Sequence, residues 1–218
     1  MNKPREPRLR WFQYSLSTLL LAVLLVSIGM SWVAVRMQRA RREREAVAAI
    51  VKLGGQVRYD YQVPQSGNPL PGAGPPGPAW LRKLLGENFF VTVVGVHLEN
   101  SSCTDADLEY LAVLTQLRSL ELDGTRVTDA GLERLTGLTR LQELGLNGTL
   151  VTGAGLKHIE GLTQLQLLDL GGTRVTDAGL EHLKGLTQLQ TLDLSQTEVT
   201  VAAWKHVKGL TRLRRLIQ

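Results

Sequence analysis

The first hydrophobic feature of the chain is a long run without charge. From Trp11 to Val35 no Asp, Glu, Lys or Arg occurs over 25 residues, and Leu, Val, Ile and Ala dominate from Leu16 onward. At about 1.5 Å of rise per residue, roughly 20 helical residues cross a hydrocarbon core of roughly 30 Å. The pattern predicts a transmembrane helix over residues 11–35, with the lipid bilayer as its partner.

Aromatic and basic residues flank this segment. Trp11 and Tyr14 lie at one end and Trp32 at the other, where amphipathic rings prefer the lipid headgroup boundary. These three are the predicted membrane-interface residues. Four basic residues precede the segment and five follow it, so the positive-inside rule leaves both orientations open. A cleaved signal peptide is the alternative, although its apolar core is about 7 to 15 residues long.

The sequences next to this segment differ from it in composition. Residues 1–10 form a basic tail. Residues 36–55 keep strong helix formers until Gly54-Gly55, where a left-handed residue would end a helix. We therefore expect a juxtamembrane helix there.

Residues 56–89 predict a cap that precedes the remaining chain. They begin with an alternating stretch typical of a strand. A loop rich in Pro and Gly follows from Pro64 to Pro78, since so many restricted φ angles and missing amide donors exclude regular structure. Residues 79–86 then predict a short capping helix with Trp80 and Leu84 on its apolar side.

A 24-residue period governs residues 90–218. Leu-Thr-x-Leu recurs at this spacing, beginning at Leu114, Leu138, Leu162, Leu186 and Leu210. In the full units, leucines first alternate as L-x-x-L-x-L, which predicts a strand. They then recur three residues apart behind a Thr-Asp pair, which predicts a short helix capped by the hydroxyl. Such a unit cannot bury its own leucines, so the units must stack with their strands about 4.8 Å apart.

Charge separates the two parts of the chain. Residues 1–88 contain 13 basic and 5 acidic residues, a net +8, whereas residues 89–218 contain 12 basic and 15 acidic residues, a net −3. The overall charge of +5 therefore comes from the N-terminal part and indicates no nucleic-acid-binding surface on the repeats. We expect no nucleic-acid partner.

The repeat unit resembles the leucine-rich repeat family. Its ending V-T-D-A-G-L-x-x-L occurs at 127–135 and 175–183, and four consecutive units match the 24-residue pattern. Threonine replaces the Asn or Cys of the commonest family pattern at four positions, which are Thr125, Thr149, Thr173 and Thr197.

This resemblance implies the fold class and the kind of partner. The implied fold is an α/β leucine-rich repeat solenoid with a parallel β-sheet on the concave side and short helices on the convex side, after the N-terminal transmembrane helix. The arrangement is similar to that of bacterial single-pass membrane-anchored repeat proteins. Because the family mostly binds other proteins, a protein partner is implied as well.

Alternation along the strands predicts which side chains form the concave face. Residues on either side of the buried strand leucines point away from the core. We expect partner binding there by eight polar residues, namely Glu99, Ser119, Glu121, Asp123, Glu143, Asn147, Asp169 and Asp193. Six of these are acidic, so the predicted partner has a basic surface. Carboxylates that merely solvate an exposed sheet are the alternative explanation.

No group of residues predicts catalysis. His158, His182 and His206 recur at 24-residue spacing, so they lie on successive helices about 8 to 10 Å apart, whereas zinc needs nitrogens at about 2.0 to 2.1 Å. Cys103 aligns with Val127, a core position, which predicts a buried thiol. The sequence lacks a Ser, His and Asp set, a phosphate-binding glycine loop and a Cys-x-x-Cys motif. We therefore predict no enzyme activity, cofactor, metal or small-molecule substrate.

Two functions remain after these exclusions. The favoured one is a single-pass cell-membrane protein whose repeats bind a protein partner through the concave face. The alternative is a structural or self-associating envelope protein that uses the C-terminal sheet edge, which is guarded by Arg212, Arg214 and Arg215. A particle size that depends on concentration would favour the alternative.

Overall fold

The computed structural model describes residues 16–62, 74–86 and 89–217. The chain divides into two compact units, Met1–Arg39 and Ala40–Gln218. The first unit contains the apolar part of the N-terminal helix. The second contains the end of that helix and the repeats.

Helix α1, Leu16–Lys52, is long and apolar enough to cross a membrane. Its side chains from Thr18 to Trp32 are all exposed, and Trp32 itself is 62% exposed. The helix ends before Gly54, whose φ of +84° is the left-handed conformation that favours glycine after a helix. Trp11 and Tyr14, the other two predicted interface residues, lie outside the described residues.

Seven strands of the described residues form one sheet in sequential order. They are β1 Gln56–Tyr59, β2 Val93–His97, β3 Ser119–Glu121, β4 Glu143–Gly145, β5 Leu167–Asp169, β6 Thr191–Asp193 and β7 Arg215–Ile217. β1 is antiparallel to β2, and all later neighbours are parallel. In β4, β5 and β6 the central leucines Leu144, Leu168 and Leu192 pair in register, so the sequence period equals the strand register.

The core of the repeats is a column of stacked leucines. The central residues Leu120, Leu144, Leu168 and Leu192 are all 0% exposed. Burying each side chain stabilises the fold by about 1.5 to 3 kcal/mol relative to leaving it in water. The predicted solenoid fold is confirmed by this stacking.

The N-terminal end of this core is covered by the last turns of α1. Ala46 and Ile50, four residues apart on one helix face, are each 1% exposed and pack in the same core as Val96 and Leu98. Gly55 lies so close to this core that an added Cβ would be 2.6 Å from Leu98 Cδ2. The chain can therefore turn from α1 into β1 here only without a side chain.

Helix α2, Ala79–Leu85, forms where the sequence predicts a short helix, but it differs in packing from the expectation. Trp80 is 68% exposed and Leu84 is 71% exposed. α1 already covers the core end that these side chains were expected to cap. Most of the Pro- and Gly-rich loop before α2, at residues 64–73, lies outside the described residues.

Short helical segments occupy the convex side. Within the described part of the chain, two are α-helical, α3 Asp129–Arg134 and α4 Trp204–Val207, and four are 3₁₀ helices, Asp107–Val113, Gly155–Ile159, Gly179–Leu183 and Val201–Ala203. Leu180 and Leu183 explain the preference, because residues three apart share a face when a turn has three residues. Both are buried.

Threonine hydroxyls close the turns that follow strands β3 to β6. Thr125, Thr149 and Thr173 are 3% exposed. Their Oγ1 atoms donate to the carbonyl three residues earlier, at 2.6, 2.7 and 2.6 Å. The threonines therefore satisfy a backbone carbonyl within their own unit. The sequence pattern did not decide which group these hydroxyls bind.

The V-T-D part of the motif joins one unit to the next. Asp129 Oδ1 accepts from Thr152 N at 2.8 Å, and its Oδ2 accepts from Thr152 Oγ1 at 2.6 Å. Asp105 binds Thr128 in the same way, and Asp177 binds Thr200. The two bonds from Thr200 lower the pKa of Asp177. These bonds join three neighbouring pairs of units on the convex side, while at the junction between them Gly153 takes the place of the aspartate.

Candidate functional site

The concave face carries three rows of side chains across the sheet. The first row runs through Arg58, Gly95, Ser119, Glu143, Leu167, Thr191 and Arg215. The middle row runs through His97, Glu121, Gly145, Asp169, Asp193 and Ile217. A third row, just beyond the strands, contains Glu99, Asp123, Asn147, Gly171 and Ser195. All eight predicted binding residues lie in these rows, and their role in binding stays a prediction.

Three aspartates of this face are tied to the backbone of the third row. Asp123 Oδ1 accepts from Asn147 N, Asp169 Oδ1 from Gly171 N, and Asp193 Oδ1 from Ser195 N, each at 2.8 Å. The side chain of Asn147 also donates to Asp169 at 3.5 Å. These aspartates therefore hold the turn after each strand as well as placing charge on the face.

Glu121 and Glu143 carry charge without such structural bonds. Like the aspartates, neither forms an ion pair with a Lys or Arg among the described residues. Glu143 is exposed, and Glu121 is half-buried. The carboxylates of Glu121 and Asp123 converge over Gly145, because a Cβ there would contact Glu121 Oε2 and lie 2.7 Å from Asp123 Oδ1.

This crowding of like charges perturbs two carboxyl groups. Burial first, and then the charges of Asp123, Glu143, Glu99 and Asp169, raise the pKa of Glu121 to about 7. Burial and the charges of Asp169 and Glu99 also raise the pKa of Asp123, against the lowering effect of its backbone bond. The face is therefore held in an electrostatically unfavourable state at neutral pH.

We expect Glu121→Gln to stabilise the protein above pH 7. Because the pKa of Glu121 rises on folding from 4.5 to about 7, its contribution is fully present below pH 4.5 and is lost as the pH rises through 7. The variant should gain about 1 kcal/mol at pH 8, a value discounted because solvent screens this partly exposed group. Urea unfolding at pH 5 and pH 8 measures the gain, and an equal effect at both values would contradict the electrostatic cause.

Ser119 differs from the other predicted binding residues because it is covered. It is 8% exposed, and its Oγ is buried without a hydrogen-bond partner among the described residues. Its neighbours in the first row are Gly95 and Glu143. Leaving a buried hydroxyl unpaired costs about 1 to 3 kcal/mol.

Arg58 also lies on this face, and sequence reasoning missed it. A Cβ built on Gly95 would be 3.2 Å from Arg58 Nε, so the arginine side chain crosses the sheet over that glycine. The antiparallel pairing of Arg58 with Gly95 creates this position. Only the pairing of β1 with β2 reveals this position of Arg58. The alternation with Val57 and Tyr59 in the sequence indicates only that Arg58 points away from them.

The residues considered for other chemistry lie elsewhere. His158, His182 and His206 are half-buried in the convex segments, and His182 Nδ1 contacts Glu160 Oε1 of the preceding unit. Cys103 is 0% exposed, as predicted, and burial followed by the charges of Asp107 and Asp105 raises its pKa to about 11. The thiol therefore remains protonated at neutral pH.

The matches to known proteins are matches of three-dimensional structure. No protein-family model matches the chain, and neither does any curated protein. Internalin C2 from Listeria monocytogenes is 32% identical over 57% of this chain and 50% of that chain, with a TM-score of 0.47. An internalin of the same species is 27% identical over 50% of this chain and 30% of that chain, with a TM-score of 0.45.

A plant receptor gives the broadest of these matches. The leucine-rich repeat ectodomain of the receptor kinase SOBIR1 from Arabidopsis thaliana is 13% identical, covers 81% of this chain and 91% of that chain, and has a TM-score of 0.49. The chain spans half or less of the two internalins. These structural neighbours are leucine-rich repeat proteins. The 24-residue strand register and the stacked leucines identify the repeats of this chain as a leucine-rich repeat solenoid of the α/β class.

Proposed function

We propose that this protein is a single-pass cell-membrane protein whose leucine-rich repeats bind a protein partner through the concave face. The observation that carries the proposal is a group of carboxylates on that face that form no ion pair among the described residues. They are Glu121, Asp123, Glu143, Asp169 and Asp193, whereas Glu99 contacts His97 at 3.4 Å. A folded protein gains little from placing such charges together, whereas a basic surface of a partner would compensate them. The proposal includes no catalysis, cofactor or small-molecule substrate.

The exposed apolar part of α1 supports the membrane part of the proposal. Leu20, Leu24 and Val26 are 60, 56 and 64% exposed, and no charged residue lies between Leu16 and Val35. Such a surface is unfavourable in water at about 25 cal/mol per Å² of apolar area. A bilayer removes this penalty, and the basic residues that follow lie where lipid headgroups would be.

Reversing two glutamates should weaken partner binding. We expect Glu121→Lys with Glu143→Lys to abolish cross-links formed in cells by a photoreactive amino acid at Thr191 on the same face. These two residues are chosen because they make no structural bond, unlike Asp123, Asp169 and Asp193. The number of cross-linked partner molecules, measured on gels, should fall at least tenfold.

The matched control reverses the same number of charges on the other side. Glu109 and Glu133 are exposed on the convex segments, so Glu109→Lys with Glu133→Lys gives the same net charge. Equal losses in both variants would leave only bulk charge as the cause. Cross-links that come from convex positions and not from Thr191 would overturn the proposed face.

Self-association through the C-terminal edge is the second candidate function. β7 lies at the edge of the sheet, and Leu213 and Leu216 are only partly buried there. Arg212, Arg214 and Arg215 are exposed beside it, however, and two copies joined edge to edge would bring these like charges together. A concentration-dependent size of the 40–218 fragment would favour this candidate.

A further inference from the structure

We propose that four residues on strands β3 and β4, Ser119, Glu121, Glu143 and Gly145, form a subsite for one arginine side chain of the protein partner. These four residues, the β3–β4 subsite, occupy the corners of one rectangle on the concave face. Ser119 pairs with Glu143, and Glu121 pairs with Gly145. The proposal rests on the proposed function, since it names the chemistry recognised by the same face.

The corners alternate in size and charge. Two carboxylates lie on one diagonal, and a small hydroxyl and a glycine lie on the other. Adjacent strands are about 4.8 Å apart, and residues two apart along a strand are about 6.7 Å apart. The space over Gly145 holds the carboxylates of Glu121 and Asp123, so a planar cation of guanidinium size can lie above the sheet between the Glu121 and Glu143 carboxylates.

The acceptors of the subsite have no partners within the described chain. Glu121 and Glu143 form no ion pair or hydrogen bond there, and the buried Oγ of Ser119 is unsatisfied. Buried polar groups are nearly always hydrogen-bonded, so an unpaired hydroxyl beside two uncompensated carboxylates indicates a missing donor. A guanidinium offers five N–H donors in one plane and can bridge two separated carboxylates, whereas an ammonium is a compact point charge.

The protein itself shows that an arginine side chain can lie on this sheet over a glycine. Arg58 crosses Gly95, the first-row neighbour of Ser119, with its Cζ 3.8 Å from where a Cβ of Gly95 would be. At Gly145, one row across and two strands further, the carboxylates of Glu121 and Asp123 lie where a side chain would be. Asp123 and Asp169 stand beside it, so the surrounding charge is negative.

A metal ion is a poorer occupant of these residues. No group of three or more His, Cys, Asp or Glu among the described residues is arranged to hold one. Asp123 lies beside Glu121 over Gly145, but its Oδ1 already accepts a hydrogen bond from Asn147 N at 2.8 Å. The geometry of the subsite therefore favours a hydrogen-bonding cation.

The test titrates the full chain in detergent micelles with three capped tripeptides. Acetyl-Gly-Arg-Gly-amide should shift the amide NMR signals of Glu121, Glu143 and Gly145 in a saturable manner. The citrulline peptide, which has nearly the same shape without the charge, should give no saturable shift, and the lysine peptide should bind at least threefold more weakly. Equal binding of the arginine and citrulline peptides would overturn the proposal, and so would equal binding of the arginine and lysine peptides.

Two variants with matched controls locate the binding. Gly145→Ala should weaken binding of the arginine peptide at least fivefold. Gly161→Ala should leave binding unchanged, because a Cβ at Gly161 meets nothing within 4 Å. Glu143→Gln should also weaken binding at least fivefold, while Glu133→Gln on the convex side should leave the Kd unchanged. Unchanged binding in both subsite variants, with native thermal melting, would overturn the subsite.

The result is separable from that for the proposed function. If Thr191 still forms cross-links to a partner but the arginine peptide does not bind, only the subsite proposal is contradicted. Specific peptide binding without such cross-links would instead count against the proposed function. A signal at the same amides from 5 mM calcium chloride that matches the arginine peptide would show a metal preference and overturn the proposal.

Discussion

Leu168→Ala should lower the free energy of unfolding by about 2 to 5 kcal/mol, the usual range for truncating a fully buried leucine. Leu168 is 0% exposed and pairs in register with Leu144 on one side and Leu192 on the other. A cavity here is bounded by two neighbouring units, so neither can collapse into it without losing its own strand pairing. Urea unfolding of the 40–218 fragment, followed by circular dichroism, measures the change.

The adjacent residue provides the matched control. Leu167 is a leucine on the same strand, but it faces outward and is only half-buried. Leu167→Ala should therefore cost less than about 1 kcal/mol, as surface substitutions usually do. If both variants lowered stability equally, the assignment of inward and outward positions would be wrong by one residue in every unit.

The full chain should remain in the membrane pellet after an alkaline carbonate wash, while the 40–218 fragment should be soluble. The apolar helix is long enough to cross a bilayer, and a chain anchored by it, as proposed, would not be displaced by a wash that removes peripheral proteins. The fragment begins at Ala40 because Ala46 and Ile50 belong to the core of the repeats. A fragment that began at Gln56 would expose that end of the core.

Charges placed inside the apolar segment give the sharper version of this test. Each arginine near the middle of a spanning helix costs about 2.5 to 3.5 kcal/mol on insertion scales. Leu21→Arg, Leu24→Arg and Ile28→Arg together should therefore release most of the chain, while phenylalanine at the same three positions should not. Recovery of the unaltered chain as a shortened soluble form, starting after about residue 30, would identify a cleaved signal peptide instead of an anchor.

Much of the fold follows from local pattern and period. The repeat spacing predicts the parallel register because stacked units of equal length must pair equivalent residues. Alternation then separates Leu168, which is buried, from Asp169, which is not. Gly54 predicts the end of α1 because a left-handed residue is needed there.

The candidate site is less completely predictable from the same patterns. The period places eight polar residues on one face, but it treats them as equivalent. The structure distinguishes them, since Asp123 accepts a backbone N–H whereas Glu121 does not, and Ser119 is covered. These differences depend on side-chain conformation and on neighbours 24 residues away, which an amino-acid pattern along one strand does not encode.

The sequence by itself determined the elements, the repeat register and the division between core and surface, because each depends on residues close in the chain or on exact repetition. Tertiary structure alone decided how the units are joined and capped. Asp129 could equally stabilise its own helix from its position, yet its carboxylate binds Thr152 of the next unit. Likewise α1 covers the first repeat and α2 leaves Trp80 exposed. The physical reason is that several apolar segments could cover the same end of the core, and several groups could bind the same carboxylate. Only the packed chain brings one of these alternatives within contact distance.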